Sequence, residues 1–358
     1  MSTDLSHWHT WREIHAQPGI WTGWGAALPV ADLRAWIAAQ NADEIWFCGA
    51  GSSAYIGEMI VAGLEGALGP RLRAIATTDL VARPHAYLTG RSPLVVSFGR
   101  SGNSTESIGT LDALDALAPN APRLNITCNA KGTLATRLRP DDRAVVLPDT
   151  THDAGFAMTS SLSTMLLTAL ALFDAPCDAP ARFAALADQL TALLPRLASI
   201  ADTATMPERI VFAGSGPLTF AARESALKVM ELTAGIVPAL WDSSLGFRHG
   251  PKSFVRDATD IIVLTSPDAQ AAYYDADLVT ELRAQFPHSR VTAIGPGGDP
   301  DIAMPFGAVW GAPLAIAFAQ ILAVVWSARL GLNVDDPFVG QGTLSRVVSG
   351  VRLYPVTP

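Results

Sequence analysis

Three charged residues with the makings of an acid–base centre stand in one stretch of the chain, Arg223-Glu-Ser-Ala-Leu-Lys-Val-Met-Glu-Leu. The stretch is helical by propensity. At about 100° per residue, Glu224, Lys228 and Glu231 fall on one stripe of that helix. Two carboxylates and an ammonium so arranged have two readings. The commoner is a solvated salt-bridge face. The other is proton transfer, favoured by the apolar neighbours Leu227, Met230, Leu232 and Ala234. Downstream, Leu245-Gly-Phe-Arg-His-Gly-Pro-Lys sets His249 in a turn. Imidazole is the usual acid or base near neutral pH, although a turn histidine between cations is often plain surface.

A second kind of chemistry is anion binding. The segment Val95-Val-Ser-Phe-Gly-Arg-Ser-Gly-Asn-Ser-Thr-Glu runs from an apolar strand into a helical pattern. Ser101, Asn103, Ser104 and Thr105 crowd the turn after Arg100, and Asn103 with Glu106 has the spacing of a capping box. A helix N-terminus with added hydroxyl donors makes a cradle for phosphate, or is simply capped. An earlier loop, Gly49-Ala-Gly-Ser-Ser-Ala, fits the dinucleotide fingerprint G-x-G-x-x-A. That fingerprint expects an acid about 20 residues on, and Asp79 lies well beyond that spacing. Ser52 and Ser53 make this loop hydroxyl-rich, which suits a monophosphate gripped from two sides better than a dinucleotide. A third hydroxyl-rich stretch, Thr159-Ser-Ser-Leu-Ser-Thr, opens an apolar helix. It either lines the same pocket or caps its own helix.

These residues need a scaffold, and the pattern supplies one. Short apolar runs at Glu44–Cys48, Ala74–Ala76, Leu94–Phe98, Arg123–Thr127 and Ala144–Leu147 alternate with helical patterns, the first from Ala54 to Leu68. This predicts an α/β fold with a mostly parallel sheet. The pattern recurs at Ile210–Ala213, Ile261–Thr265 and Arg290–Ile294. Ile45 to Ile210 and Leu94 to Ile261 are nearly equal offsets, as a duplicated unit would give. Between the halves, Ala181 to Ile200 reads as one amphipathic helix, its start marked by Asp174–Pro180.

The 358 residues suit two domains. With 49% hydrophobic and 16% charged residues, the chain has ample material for a core. A net charge of -8 offers no basic stripe for nucleic acid, though it says little about one pocket. The N-terminus lacks the basic start and apolar run of a secretory signal. The most apolar stretch, Ala312 to Trp326, is shorter than the ~18 residues of a membrane span and reads as a buried helix. Soluble, cytoplasmic protein is expected, with no nucleic-acid or membrane partner. Cys48, Cys128 and Cys177 are far apart and fit buried reduced thiols rather than a disulfide or a zinc site.

Together these residues resemble the sugar-isomerase (SIS) family. Gly51-Ser-Ser, the 99–104 loop, Glu-x-x-x-Lys-x-x-Glu at 224–231 and Arg-His-Gly-Pro at 248–251 fall in the family's order. Trp11-Arg-Glu-Ile-His-Ala-Gln-Pro resembles the helix before the first domain in its aminosugar members, so the likeness runs from about residue 10 to 355. Within the family the chain is most similar to the galactosamine-6-phosphate deaminase/isomerase group, also known as tagatose-6-phosphate ketose/aldose isomerase. Asn125-Ile-Thr-Cys-Asn, Phe156-Ala-Met-Thr-Ser-Ser, Leu245-Gly-Phe-Arg-His-Gly-Pro-Lys-Ser-Phe and Arg346-Val-Val-Ser-Gly-Val-Arg-Leu-Tyr-Pro carry that likeness. Gly99 departs from it, since similar proteins have serine there, and one hydroxyl donor is missing.

The resemblance implies two tandem domains, each a flavodoxin-like parallel sheet flanked by helices. They would cover 30–178 and 206–345, with a connecting helix at 179–205 and a tail at 346–358. It implies that Ser53, Ser101 and Ser104 hold a phosphate, with Ser52, Arg100 and Asn103 in the same loops. Glu231 would move a proton between C2 and C1. His249 would open the pyranose ring, reaching in from the neighbouring subunit of a homodimer, and Lys228 would lie near the reacting carbons. No metal or redox cofactor is required. The implied reaction is deaminating isomerisation of an amino-sugar 6-phosphate, most simply galactosamine 6-phosphate to tagatose 6-phosphate and ammonia. Alternatives are a phosphosugar isomerase without ammonia release, a glucosamine-6-phosphate deaminase, and a non-catalytic phosphosugar sensor.

Overall fold

The computed structural model describes residues 4–67, 69–174, 176–342 and 344–357. The chain opens with α1 (His9–Ala27) and α2 (Val30–Ala39). Alternation follows: β1 (Glu44–Gly49), α3 (Ser52–Leu64), β2 (Arg71–Ala76), α4 (Thr77–Ala82), α5 (Pro84–Leu88), β3 (Leu94–Gly99), α6 (Thr105–Leu117), β4 (Arg123–Thr127), α7 (Thr133–Thr136) and β5 (Arg143–Val146). Two long helices come next, α8 (Ser160–Phe173) and α9 (Ala179–Thr203). The second half comprises β6 (Arg209–Gly214), α10 (Pro217–Leu232), β7 (Ala239–Ser243), β8 (Thr259–Leu264), α11 (Ala269–Gln285), β9 (Arg290–Ile294) and α12 (Ala308–Arg329).

The strands form two parallel sheets, ordered β2-β1-β3-β4-β5 and β7-β6-β8-β9. β3 and β8 are buried along their whole length. Strands covered on both faces read as unbroken apolar runs, which is why those two stand out in the sequence. β7 does not stand out. Its Ala-Leu-Trp-Asp-Ser is half-buried throughout and sits at a sheet edge, so no apolar run marks it. Ile45 lies opposite Leu94 and Ile210 opposite Asp260. The repeat is therefore in register, one residue earlier in β8 than the offset from Leu94 to Ile261 places it.

The repeat extends to the turns. Gly51 and Gly216 cap α3 and α10 with nearly the same backbone, φ 56° and ψ -133° against φ 56° and ψ -128°. A side chain at either would have open space but a strained backbone.

The chain divides into two compact units. The first-sheet unit comprises Gly19–Asp153, Ser160–Phe183 and Leu344–Pro358, and the second-sheet unit Met1–Pro18, Ala154–Thr159 and Ala184–Thr343. The first has a core that includes Trp46, Cys48, Val95 and Leu114. Val211, Phe247, Ile261 and Leu278 belong to the core of the second. Each such side chain contributes about 1.5–3 kcal/mol on burial.

Three expectations change. The first helical pattern ends at Leu64, and residue 68 lies outside the described residues. The connecting helix α9 is longer than 181–200, and residue 175 before it is also outside them. The apolar stretch at 312–326 is part of a helix of 22 residues, long and apolar enough to cross a membrane by length and composition. In this structure α12 is buried from Val309 to Ser327 and packs on α10. The length argument therefore falls, and the buried-helix reading rests on packing instead. All three cysteines are free, with Cys48 and Cys128 buried and Cys177 only half-buried beside Arg34. Burial pushes the Cys48 and Cys128 thiols up to about 12.

Candidate active site

In the second-sheet unit, β6 ends at Gly214 and the chain turns directly into α10. Pro217 at the first turn suits this entry, because its fixed φ is helical and its missing N–H would be unpaired there anyway. The helix then presents Glu224, Lys228 and Glu231 on one face, as the periodicity requires. Lys228 Nζ lies 2.5 Å from Glu231 Oε2 and 3.3 Å from Glu224 Oε1. Glu224 and Lys228 are fully buried, while the Glu231 side chain keeps 22% of its exposure. The solvated-face reading is therefore overturned.

Burial alone would push the Lys228 ammonium down. The charges and hydrogen bonds of Glu224 and Glu231 outweigh it and hold Lys228 above the usual lysine value. A buried pair of this kind is poor value for stability alone, because desolvation offsets most of the attraction. Such a charge cluster is a functional-site signal. Its one solvent-reaching carboxylate is Glu231. Of the neighbours that suggested burial, Leu232 is buried, but Met230 is exposed.

His249 stands exposed at the end of a short 3-10 turn, Gly246–His249, with a second turn at Pro251–Phe254. Arg248 Nε donates to Glu281 Oε2 at 2.7 Å, and Lys252 Nζ donates to Glu281 Oε1. Among the described residues no hydrogen bond joins His249 to the α10 charges. Sequence reasoning missed Glu281 and Asp275, both on α11. Asp275 is fully buried and accepts from Ser215 Oγ at 2.6 Å, Ser244 Oγ at 2.5 Å and the Ser266 N–H at 2.9 Å.

In the first-sheet unit, Ser52 and Ser53 open α3 and are buried. The loop after β3 holds the other candidates. Arg100 is buried and donates to the Arg346 carbonyl at 2.9 Å. The Ser101 hydroxyl oxygen accepts from the Asn103 N–H at 3.2 Å. The capping box of Asn103 and Glu106 does not form. Asn103 Oδ1 accepts instead from the Thr133 N–H and hydroxyl, at 2.8 and 3.0 Å. Ser104 is the true cap of α6, accepting from the Ser107 N–H at 3.3 Å. The Thr105 N–H at the start of α6 donates to the Val348 carbonyl.

The loop is braced from the side. Asn129 Nδ2 donates to the Ser101 carbonyl at 2.9 Å, and Asn125 Nδ2 to the Leu134 carbonyl at 2.8 Å. The Asn125-Ile-Thr-Cys-Asn motif was the available signal for these braces. A side chain at Gly99 would meet the Leu134 methyl at 2.8 Å, so the space of a serine there is taken by Leu134. The helix that the third hydroxyl-rich stretch opens is capped from outside the stretch, by Asp153. Asp153 accepts from the N–H and hydroxyl of both Ser160 and Ser161, at 2.5–3.1 Å. Sequence reasoning did not single out Asp153.

The chain is 41% identical to D-galactosamine-6-phosphate deaminase AgaS of Escherichia coli, over 87% of this chain and 85% of that protein. It is 38% identical to D-galactosamine-6-phosphate deaminase AgaS of Shewanella sp. (strain ANA-3), over 99% of this chain and 93% of that one. The chain belongs to the sugar-isomerase family. The solved structure of tagatose-6-phosphate ketose/aldose isomerase from Escherichia coli agrees in fold, with a TM-score of 0.89 and 36% identity over 99% of this chain and 98% of that one. No protein-family model matches the chain. The family's parallel α/β layers are those described above, and the Glu-x-x-x-Lys-x-x-Glu and Arg-His-Gly-Pro motifs both lie in the second-sheet unit.

Proposed function

We propose that this protein is an enzyme that converts galactosamine 6-phosphate and water into tagatose 6-phosphate and ammonia. The observation that carries the reading is the buried Glu224–Lys228–Glu231 group, which ends in one partly exposed carboxylate. The names of its relatives supply the substrate class.

In this reading Ser53, Ser101 and Ser104 hold the 6-phosphate, with Ser52, Arg100 and Asn103 shaping the loops. His249 moves the proton that opens the pyranose to its aldehyde. Glu231 takes the proton from C2, leaving an enolamine, and returns it to C1. The product is a ketimine at C2, which water hydrolyses to the ketose and ammonia. Lys228 stays charged beside Glu231, near the reacting carbons. Every step is a proton transfer or hydrolysis, so no metal or redox cofactor is invoked.

The two sheets are read as tandem sugar-isomerase domains of flavodoxin type at 30–178 and 206–345. The connecting helix would be 179–205 and the tail 346–358. We further read the protein as a cytoplasmic homodimer in which His249 serves the neighbouring subunit's sugar. Mixing Glu231→Gln with His249→Ala protein would then restore activity through mixed dimers.

The deciding experiment is a panel of sugar phosphates with coupled ammonia detection. Ammonia and ketose phosphate should appear one to one from galactosamine 6-phosphate, with solvent deuterium entering C1 in heavy water. Turnover of neutral aldose phosphates with the amino sugar untouched would replace this reading by the simple ketose/aldose isomerase, which the name of the 36% identical solved structure favours. Preference for glucosamine 6-phosphate would change the sugar and keep the chemistry.

A further inference from the structure

We infer that α11 is the positioning element for His249, with Asp275 fixing the start of its loop and Glu281 fixing its middle. The inference rests on the ring-opening role proposed above. His249 is exposed and ends the first of two short 3-10 turns, not an α-helix or strand. Something else must hold it, because misplacing a reacting group by 1 Å can cost about a hundredfold in rate.

α11 does this from a fixed base. Its 17 residues are anchored in the core by Leu278, Val279 and Leu282. One turn before these, the buried Asp275 takes the Ser244 hydroxyl, the residue at which the loop leaves β7. The same carboxylate takes the Ser215 hydroxyl and the Ser266 N–H, so it ties this loop to the turns after β6 and β8. Among the anchors, directly before Leu282, Glu281 bridges Arg248 and Lys252, one on each side of His249. Arg248 Nη1 also reaches back to the Ser244 carbonyl at 3.2 Å, and Lys252 Nζ to Gln285 at 3.2 Å. An exposed ion pair is worth little for stability. One carboxylate that joins two cations of a short loop instead restricts where the residue between them can go.

The test uses full-length Glu281→Gln and Asp275→Asn protein and two substrates. One is the amino-sugar phosphate. The other is its analogue lacking the C4 and C5 hydroxyls, which can close neither a furanose nor a pyranose ring and does not need His249 to open one. Both variants should lose about ten- to a hundredfold in kcat with the pyranose while KM stays within about twofold. With the analogue they should match wild type, and Glu281→Asp should recover part of the loss. Equal slowing on both substrates, or no slowing on either, overturns the inference. Wild-type protein that is inert toward the amino sugar overturns the proposed function and this inference together, an outcome distinct from an active wild type with unaffected variants.

Discussion

The turn after β1 and the turn after β6 have the same backbone and different contents. Both end a central parallel strand, both use a glycine with φ 56°, and both feed a helix. In the first-sheet unit, Ser52 and Ser53 follow this turn, and Ser101, Asn103 and Ser104 crowd the next one. In the second-sheet unit, Pro217 and Leu218 stand where Ser52 and Ser53 do, and the Ser215 hydroxyl just before the glycine and the N–H of Ser266 are already occupied by the unit's own carboxylate, Asp275. One cradle carries its anion within the chain. The other is the one proposed to take an anion from outside. In the proposed reading, the second unit places its chemistry further along its helix, at Lys228 and Glu231. On that reading, two similar turns fix where loops and helices lie, while the residues they carry divide binding from reaction.

If that division holds, substitutions in the two units should move different kinetic constants. The largest effect is expected at Glu231. Positioned acid–base groups contribute about 10²–10⁴-fold, so Glu231→Gln should lose that much kcat with KM unchanged in steady-state assays. A similar KM rise would mean that Glu231 also binds, and would blur the comparison. Lys228→Met should cost stability, because it removes the ammonium that the buried Glu224 and the partly buried Glu231 both meet. Loss of one partner of a buried pair costs about 3–5 kcal/mol, readable as a lower urea midpoint.

In the first-sheet unit the expected effects are smaller and fall on binding. A charge-assisted hydrogen bond is worth about 1.5–3 kcal/mol, so Ser101→Ala should raise KM by about one to two decades and leave kcat nearly intact. Unchanged KM in Ser101→Ala and Ser104→Ala would remove the phosphate from these loops. The smallest contrast sharpens the comparison most. Ser104 caps α6 and Asp268 caps α11 in the same way. Each cap changed to alanine should cost about 1 kcal/mol in thermal or urea unfolding. Only Ser104→Ala should also weaken substrate binding.

The strands buried on both faces were legible because their apolar runs are continuous, and the α10 stripe was legible because helical spacing alone places Glu224, Lys228 and Glu231 together. Whether that stripe faced water could not be read from spacing. It depends on what packs on α10, to which β6, β7 and the distant α12 all contribute. The half-buried edge strand β7 has no periodic mark for the same reason that it has little core to face. Asp153, Asp275 and Glu281 were missed because acidic residues in loops and on helices usually meet solvent. Their partners come from turns seven to sixty residues away. The capping box failed because Asn103 found a better-placed partner in Thr133, a choice that only the fold presents.

The stretch after residue 344 gives the first-sheet unit its finish. Arg346 donates to the Asp153 carbonyl and accepts from Arg100, Val348 accepts from the start of α6, and the Thr357 carbonyl bonds His85. Polypeptides are made in order, and domains generally fold as they emerge. Here the unit that begins to appear at Gly19 waits for residues translated after the whole second sheet. The hydroxyl-lined loop after β3 thus gains these backbone partners only after the second sheet has been made, and a nascent chain halted at α9 would carry that loop without the Arg346 and Val348 carbonyls.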